Sequence, residues 1–327
     1  MLTTIIIILI ALFFEFINGF HDTANAVATS IATKSLEPFQ AITVSAIFNL
    51  IGALSGTAVA ITIAKGFADP NLATHPVILA ALLSAISWNL ITWAFGIPSS
   101  SSHALIGGLV GAIMFGNSWH SINFHAVIDK VMLPMIISPI LGFIIAITIV
   151  YGLHRALLNN TSPRKTNNFI RELQVLSTAF LSFSHGANDA QKTMGIITLT
   201  LFNFHFIDQC IVPDWVIFAC GACMALGTLS GGLRIIKTLS TRVAKLKPVS
   251  GLASEISSAT LLFVGARFGI PLSTTHAVSG SIMGAGSYGR FGVNWGVVKN
   301  MVIAWVLTFP ICALLSGAFL HVTKFIN

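Results

Sequence analysis

Apolar runs of membrane-spanning length recur along the 327-residue chain, and they constrain its fold more than any other feature. A helix needs about 20 mostly apolar residues to cross the hydrocarbon core of a bilayer. Runs of about that length lie at 2–18, 41–64, 77–96, 131–153, 215–233 and 297–320. Only 8% of the residues are charged, about a third of the share in soluble domains. We therefore predict an all-α polytopic membrane protein.

The basic residues flank apolar runs instead of forming a patch of their own. The net charge of +7 therefore indicates membrane orientation by the positive-inside rule, and we expect no nucleic-acid partner. Cys220 and Cys223 form a C-x-x-C pair inside an apolar run with no second pair of ligands. We expect no resident metal and no redox role there.

An internal repeat divides the chain. The segment "FGIPSSSSHALIGGLVGA" at 95–112 returns as "FGIPLSTTHAVSGSIMGA" at 268–285, with ten of eighteen positions identical. Two serines of the first copy become threonines in the second, which keeps their hydroxyl groups. Chance is a poor explanation for this match.

A second, weaker pair of segments lies upstream in each half. "NGFHDTANA" at 18–26 aligns with "HGANDAQKT" at 185–193, and Asp22 then coincides with Asp189. The order of the two pairs is the same in both halves. We predict a first membrane repeat at 1–155, a basic cytoplasmic linker at 156–171 and a second repeat at 172–327.

Charge in equivalent loops indicates that the repeats are inverted. The loop at 234–247 holds five Lys or Arg residues, whereas its counterpart at 62–75 holds one. Opposite basic content places the two loops on opposite sides of the membrane, which needs an odd number of crossings per repeat. We predict two inverted-topology repeats of about five segments each, with broken or re-entrant helices at the motifs, as in secondary transporters. The first-half segments are predicted at 1–33, 38–64, 76–96, 98–116 and 121–153.

Four of the ten acids lie within apolar stretches, at Glu15, Asp22, Asp189 and Glu255. Each would cost at least about 2.5–3.5 kcal/mol at mid-membrane, so each must be paired, protonated or bound to a cation. The two aspartates recur in both halves and have asparagines nearby, whose oxygens suit hard cations. Gly19 and Gly186, three residues before each aspartate, are expected to allow a local helix break. We predict a coupling-cation and anion site at Asn18, Asp22, Asn25, Asn188 and Asp189.

The motifs "IPSSSSH" and "IPLSTTH" favour anion binding. Each places a proline in the predicted first turn of a helix, followed by hydroxyls and free backbone N–H groups, which suits phosphate or sulfate. Interhelical hydrogen bonding is the alternative role for these hydroxyls. The predicted anion ligands are Ser100, Ser101, Ser102, Ser273, Thr274 and Thr275. Four histidines near the motifs are candidates for proton handling or for packing: His21, His185, His103 and His276.

The copies "GFHDTANA" at 19–26 and "GANDAQKT" at 186–193 resemble the duplicated signature of the inorganic phosphate transporter family, in wording closest to bacterial low-affinity phosphate permeases. The resemblance extends through both repeats. It implies symport of inorganic phosphate with H⁺ or Na⁺ by an integral protein of the bacterial cytoplasmic membrane, surrounded by lipid and without a cofactor. It leaves open whether Mg²⁺ or another divalent metal travels with phosphate, and it allows a homodimer.

The resemblance also implies roles for single residues. Asp22 and Asp189 would lie at the transport site. Glu255 matches a glutamate of the family and therefore joins the predicted coupling-cation and anion site, whereas the first-half counterpart of that glutamate is Asn49.

Lys192 departs from the family signature, which has Asn there, as the first half does at Asn25. We predict that its ammonium replaces one coupling cation near Asp189 and attracts phosphate, together with Gln191. The alternative is that Lys192 extends to the membrane interface.

The sequence also allows three alternative functions. A sulfate permease of the same fold is the closest, although pocket acids favour phosphate, which can donate a proton to them. Ser, His and Asp could also form a hydrolytic site, but such sites use one nucleophile whereas these polar sets are duplicated. We therefore expect no catalytic residues. A passive channel is a third alternative.

Overall fold

The computed structural model describes residues 1–158, 163–289 and 292–323. Regular structure in these ranges is helical, apart from two isolated β-bridges, Ala68 with Ile122 and Ala244 with Val293. Among the described residues, five helices are long and apolar enough to cross a membrane, or up to seven spans if two bent pairs are counted as one span each. The prediction of an all-α integral membrane protein is confirmed.

In the part of the chain that the structure describes, each half contains five helical units in the same order. The first half consists of α1 (Leu2–Ala32), α2 (Pro38–Ala53), α3 (Ala58–Lys65), α4 (His75–Phe95), α5 (Ser101–Gly116), α6 (Phe124–Val127) and α7 (Leu133–Leu153). The second consists of α8 (Pro163–Asn203), α9 (Asp214–Ser230), α10 (Leu233–Lys237), α11 (Pro248–Arg267), α12 (Thr274–Ser287) and α13 (Trp295–Thr323). Helices α2 and α3 form one unit bent by 67°, and α9 with α10 and its π-helical continuation form the equivalent unit, bent by 62°.

The predicted linker at 156–171 overlaps regular structure at both ends. A π-helical turn continues α7 to Leu158, and α8 begins at Pro163. Residues 159–162 of the predicted linker, and 324–327 of the predicted second repeat, lie outside the described residues.

Helices α4 and α5 form a hairpin whose tip lies inside the protein. The chain leaves α4 through Gly96, whose φ of 65° is left-handed. It then returns, so that Gly116 at the end of α5 packs against Val77 at the start of α4. The indole of Trp305 on α13 donates a hydrogen bond of 3.0 Å to the carbonyl of Pro98 at the tip. Trp305 lies ten residues from the start of α13, so the tip lies about 15 Å below that end of the helix.

This hairpin starts at one face of the protein. Thr4, near the start of α1, is 3.0 Å from His75 at the start of α4. At the end of α8, Asn203 donates a 2.7 Å hydrogen bond to the carbonyl of Ala73. The α4–α5 hairpin therefore enters from the face where α1 begins and α8 ends.

The equivalent hairpin, α11–α12, starts at the opposite face. Gly251 in the first turn of α11 packs against Gln174 and Thr33, which belong to the first part of α8 and the residue after α1. The two hairpins therefore enter from opposite faces and meet between them. The inverted repeat with re-entrant helices, predicted from the sequence, is confirmed in this arrangement.

Helices α1 and α8 run without interruption through Gly19 and Gly186, so the helix breaks expected at these two glycines are wrong. Gly19 instead packs against the backbone of Met224 on α9, and Gly186 against the backbone of Asn49 on α2. Because a Cβ atom would collide with those backbones, the glycines let the crossing helices approach closely. The first helix of each repeat therefore packs closely against the second helical unit of the other repeat, α1 against α9 and α8 against α2.

Candidate functional site

The two hairpin tips deliver equivalent hydroxyls to equivalent buried acids. Ser101 donates a hydrogen bond of 2.9 Å to Oδ2 of Asp22. Thr274 donates a hydrogen bond of 2.9 Å to Oδ2 of Asp189. Both carboxylates are buried, at 2% and 1% exposure. The predicted acid and hydroxyl residues therefore meet at one pseudo-symmetric site.

A second pair of contacts crosses between the repeats. The amide of Asn25 donates a 2.9 Å hydrogen bond to the hydroxyl of Thr275, and the ammonium of Lys192 donates to the hydroxyl of Ser102. Thr275 and Ser102 are equivalent positions of the two hairpins. These contacts link α1 to the second hairpin and α8 to the first.

Lys192 lies in a cage of three oxygen atoms. Its ammonium contacts the carboxylate of Asp189, the hydroxyl of Ser102 and, at 3.0 Å, the carbonyl of Leu272. The residue is 2% exposed. The alternative that Lys192 extends to the membrane interface is therefore wrong, because the ammonium points into the centre of the protein.

Each aspartate also has a histidine beside it. Nδ1 of His21 is 2.8 Å from Oδ1 of Asp22, and Nε2 of His185 is 3.1 Å from Oδ2 of Asp189. His185 also meets Asn49, with 3.0 Å between Nδ1 and Oδ1. Asn49 was not among the predicted site residues. Its position as a polar residue inside an apolar helix could have indicated a role there. Each buried carboxylate is therefore contacted by both a histidine and a hairpin hydroxyl.

Four asparagines have a buried Oδ1 without a hydrogen-bond partner among the described residues, and three of them lie within four residues of Asp22 or Asp189. These three are Asn18, Asn25 and Asn188. A buried acceptor left without a donor costs about 1–3 kcal/mol. A hard cation would recover that cost, because amide and carboxylate oxygens are its preferred ligands.

Asp22, His185 and Asp189 form a compact group that could hold a cation. One ligand atom from each lies within 4.8 Å of the other two. Sequence reasoning assigned no metal to this chain. The donor set nevertheless fits a transported cation, since two carboxylates and an imidazole nitrogen lie close together, beside the hairpin hydroxyls that contact the aspartates.

In each anion motif, the serine three residues before the histidine is the N-cap of a helix. The Oγ of Ser100 accepts the N–H of His103 at 3.2 Å, and the Oγ of Ser273 accepts the N–H of His276 at 3.3 Å. Helices α5 and α12 therefore begin at Ser101 and Thr274. The prolines precede the caps, so their predicted place in the first helical turn is wrong. Helices α5 and α12 nevertheless start beside the two aspartates, since their first residues donate to Asp22 and Asp189.

His103 and His276 face each other behind the tips. Their ring centroids are 4.9 Å apart, and the His276 ring lies 4.2 Å from Trp305. Nδ1 of His276 is 3.3 Å from the carbonyl of Met135. The structure brings these two histidines to the hairpin contact, and neither forms a described hydrogen bond to Asp22 or Asp189.

Gln191 does not join the hydroxyl cluster. Its amide oxygen accepts the N–H of Val59 at 2.8 Å, which caps α3, and its Nε2 donates to the carbonyl of Ala187 at 2.6 Å. The sequence placed Gln191 next to Lys192, but consecutive residues differ by 100° around a helix.

Glu255 lies in a separate cluster toward the face where α8 begins. Its carboxylate accepts hydrogen bonds from Thr29 (2.6 Å), Gln174 (3.0 Å), Thr178 (3.2 Å) and Ser177. Four donors compensate for its burial. Its predicted part in coupling stays a prediction, because these four contacts do not include the two aspartates.

Glu15, which the sequence analysis left unassigned, lies on the other side of the site. Its Oε2 accepts a hydrogen bond from Thr193, next to Lys192 in the chain, while its Oε1 is buried without a described partner.

Comparisons with known proteins agree with this architecture. A sequence model of the phosphate transporter family matches residues 18–316. A protein of Bacillus subtilis (strain 168) named probable low-affinity inorganic phosphate transporter is 46% identical over 322 residues, covering 97% of this chain and 96% of its own. A protein of Rhizobium meliloti (strain 1021) with the same name is 44% identical over 314 residues, covering 95% and 93%.

A solved structure has the same fold. It is described as the sodium-dependent phosphate transporter, and it superposes with a TM-score of 0.91 at 23% identity, over 100% of both chains. At this identity the likeness concerns the arrangement of helices.

Proposed function

Because the chain belongs to the phosphate transporter family, we propose that it is a secondary active symporter that carries inorganic phosphate across the bacterial cytoplasmic membrane. An H⁺ or Na⁺ gradient drives the transport. Phosphate binds where the two hairpin tips meet, between α1 and α8.

One observation carries this proposal: the duplicated pairing of a buried acid with a hairpin hydroxyl. Asp22 with Ser101 and Asp189 with Thr274 have the same 2.9 Å geometry in the two repeats. An inverted repeat with its polar groups at the interface of the halves is the usual construction of an alternating-access site. A hydrolytic site would not need both copies.

The hydroxyls and first-turn amides of α5 and α12 serve as phosphate donors in this mechanism. Ser101, Ser102, Thr274 and Thr275 surround the meeting point of the tips, and helix N-termini favour anions. Each aspartate accepts one of these hydroxyls at present. When phosphate binds, the hydroxyls turn to its oxygens and the carboxylates accept from the protonated phosphate or hold the cation.

Charge balance decides how many cations must accompany phosphate. Asp22 and Asp189 together with Lys192 leave the site with one net negative charge when all three are ionised. Phosphate near neutral pH adds one to two more. The Lys192 ammonium offsets one of these charges, and coupling ions at the asparagine oxygens and carboxylates offset the remaining repulsion.

H⁺, Na⁺ and a divalent metal can each meet that requirement. Protons would bind the carboxylates or the adjoining His21 and His185. Na⁺ would use the free oxygens of Asn18, Asn25 and Asn188. A neutral complex of phosphate with Mg²⁺ would carry its own compensating charge, which makes the divalent ion part of the cargo.

Sulfate is the alternative anion, and the comparisons do not support it, because the family and both named relatives are described by phosphate. The acids give a physical reason. Sulfate has no proton at neutral pH, so it cannot donate a hydrogen bond to Asp22 or Asp189. Excess sulfate should leave the uptake of labelled phosphate within about twofold of its unchallenged rate.

The proposal is tested by uptake of labelled phosphate into proteoliposomes under an imposed H⁺ or Na⁺ gradient, with and without Mg²⁺. We expect accumulation above the external concentration with one of the two gradients, and its collapse when an ionophore dissipates that gradient. Uptake that only equilibrates phosphate under every gradient would identify a passive channel and overturn the proposal.

A further inference from the structure

The site has two ends that are built from equivalent elements. Gly96 after α4 packs against the carbonyl of Arg234 and the hydroxyl of Thr238, and Gly269 after α11 packs against the carbonyl of Ala58 and the hydroxyl of Thr62. Because the two glycines make corresponding contacts, the start of α10 is the structural counterpart of the start of α3.

One end is filled by two aromatic rings and a cation. Phe20 on α1 meets Trp93 on α4 edge to face, with 5.4 Å between ring centroids. The guanidinium of Arg234 lies 5.0 Å from the Trp93 centroid and donates a 2.7 Å hydrogen bond to the carbonyl of Ala94. Gly232 packs against the backbone of Phe20. We name Phe20, Trp93 and Arg234 the aromatic plug.

At the other end, alanine stands at all three equivalent positions. Ala187 is the counterpart of Phe20, by the same spacing that relates Asp189 to Asp22. Ala266 is the counterpart of Trp93, by the spacing of the two hairpin motifs. Ala58 is the counterpart of Arg234, because each contacts the glycine at a hairpin tip. These alanines line a cavity of about 100 Å³. Its other lining residues are Ser55, Gly56, Gln191, Phe263 and Arg267. We name it the alanine cavity.

The two features lie toward opposite faces of the membrane. The chain beyond the plug runs from α10 to the start of α11, at the face where α8 begins. The chain beyond the alanine cavity runs from α3 to the start of α4, at the opposite face. Ala187 and Gln191 line the cavity from α8. Because successive residues are rotated by 100° around a helix, the side chain of Asn188 lies between these two residues and Lys192 on the helix surface. The cavity is therefore one row of side chains away from the site.

We propose that the two ends of the transport path are gated unequally: the alanine cavity is the entrance for inorganic phosphate, and the aromatic plug is the closed gate. Arg267, exposed at the cavity and stacked 5.2 Å from the Phe263 centroid, supplies a positive charge that attracts the anion to the mouth. Arg234 is held by Trp93 and Ala94, so release of phosphate requires these contacts to open. This inference rests on the proposed function and assigns its two gates.

A size swap with a matched control tests the entrance. Ala266→Trp places the plug's own side chain in the cavity, and we expect phosphate uptake to fall at least tenfold. Val264→Trp adds the same ring to the same helix at a position that is already 46% exposed, and uptake should stay within twofold of wild type. Equal uptake by the two variants overturns the proposal.

Cysteine labelling tests the direction without a bulky substitution. Ala266→Cys is treated with a membrane-impermeant thiol reagent in sealed vesicles of both orientations. Wild type is the background, because Cys223 is half-buried whereas Cys210, Cys220 and Cys312 are buried. We expect labelling from the face opposite the start of α8, slowed by inorganic phosphate. Labelling at equal rates from both faces, or no labelling, contradicts the assignment.

The two proposals fail in different ways. If wild-type protein accumulates no phosphate under any gradient, the proposed function is wrong. If it accumulates phosphate while Ala266→Cys labels from the face where α8 begins, transport stands and the assignment of the gates is wrong.

Discussion

Asn25 and Lys192 occupy equivalent positions of the two repeats, and each donates a hydrogen bond to a hydroxyl of the opposite hairpin. Asn25 reaches Thr275 at 2.9 Å, and Lys192 reaches Ser102. The geometry is symmetric but the charge is not. The site therefore contains one fixed cation, placed against Asp189 and not against Asp22.

Lys192→Asn should change the ion requirement of transport. The substitution introduces the residue found at the equivalent position of the first repeat, Asn25. It removes the ammonium from the oxygens of Asp189, Ser102 and Leu272, which could bind Na⁺ in its place. We expect uptake to fall at least tenfold at low Na⁺ and to recover at high Na⁺, with a steeper Na⁺ dependence than in wild type. Initial rates of phosphate uptake against Na⁺ concentration measure this.

The control for this variant is Lys65→Asn, which removes an exposed lysine at the end of α3. It should leave the Na⁺ dependence unchanged. A wild-type protein that already requires Na⁺ at two sites, with the same dependence in Lys192→Asn, would refute a cation role for Lys192.

The two aspartates should differ in their effect on stability although both are needed for uptake. Asp22→Asn and Asp189→Asn should each lower uptake more than about a hundredfold, because both remove a carboxylate from the cation site. Asp189→Asn additionally leaves Lys192 buried without its counter-charge, which costs about 3–5 kcal/mol. Thermal unfolding in detergent should therefore show a larger drop in Tm for Asp189→Asn than for Asp22→Asn.

A double variant separates the two effects. Asp189→Asn with Lys192→Met removes both charges, so Tm should recover most of the loss while uptake stays abolished. Asp208→Asn, in the loop before α9, is the control for removal of an acid outside the site. Equal Tm values for the two single aspartate variants would contradict the assigned pairing.

Much of this architecture could be predicted from the sequence, because membrane length and repetition are properties of the sequence itself. The segments predicted at 38–64, 76–96 and 98–116 agree closely with α2–α3, α4 and α5. The repeated hydroxyl motif correctly indicated re-entrant helices, whereas the contacts of Ser101 with Asp22 and of Thr274 with Asp189 could not be predicted from it, because they depend on where the hairpin tips meet α1 and α8.

The errors arose where a residue's neighbour comes from another part of the chain. Gly19 and Gly186 were expected to break helices, but their function depends on the backbones of Met224 and Asn49 crossing at that point. Gln191 is adjacent to Lys192 in sequence yet caps α3. Neither contact has a local signature, since the partner lies more than a hundred residues away.

Removing the hairpin hydroxyls should weaken phosphate binding while largely preserving the fold. Ser101→Ala and Thr274→Val each delete one donor near the anion, and a hydrogen bond to a charged group contributes about 1.5–3 kcal/mol. We therefore expect KM for phosphate to rise about tenfold or more in each variant. Concentration dependence of uptake measures this.

Thr200→Val is the matched control for Thr274→Val. Thr200 is buried on α8 and donates to the carbonyl of Ile196, so the substitution removes a hydroxyl of the same type away from the site. Its KM should match wild type. Unchanged KM in both Ser101→Ala and Thr274→Val would remove the hairpin hydroxyls from the phosphate site.

Close packing of the second hairpin should be sensitive to a single methyl group. A Cβ at Gly284 on α12 would collide with the backbone of Phe143 on α7, and such overpacking costs about 1–3 kcal/mol. Gly284→Ala should therefore lower Tm by several degrees. Gly152→Ala on α7 is the control, because a Cβ there meets no atom within 4 Å, and removing a helical glycine stabilises by about 0.4–1 kcal/mol. If both variants shift Tm in the same direction by the same amount, the α7–α12 contact is not the close backbone packing described above.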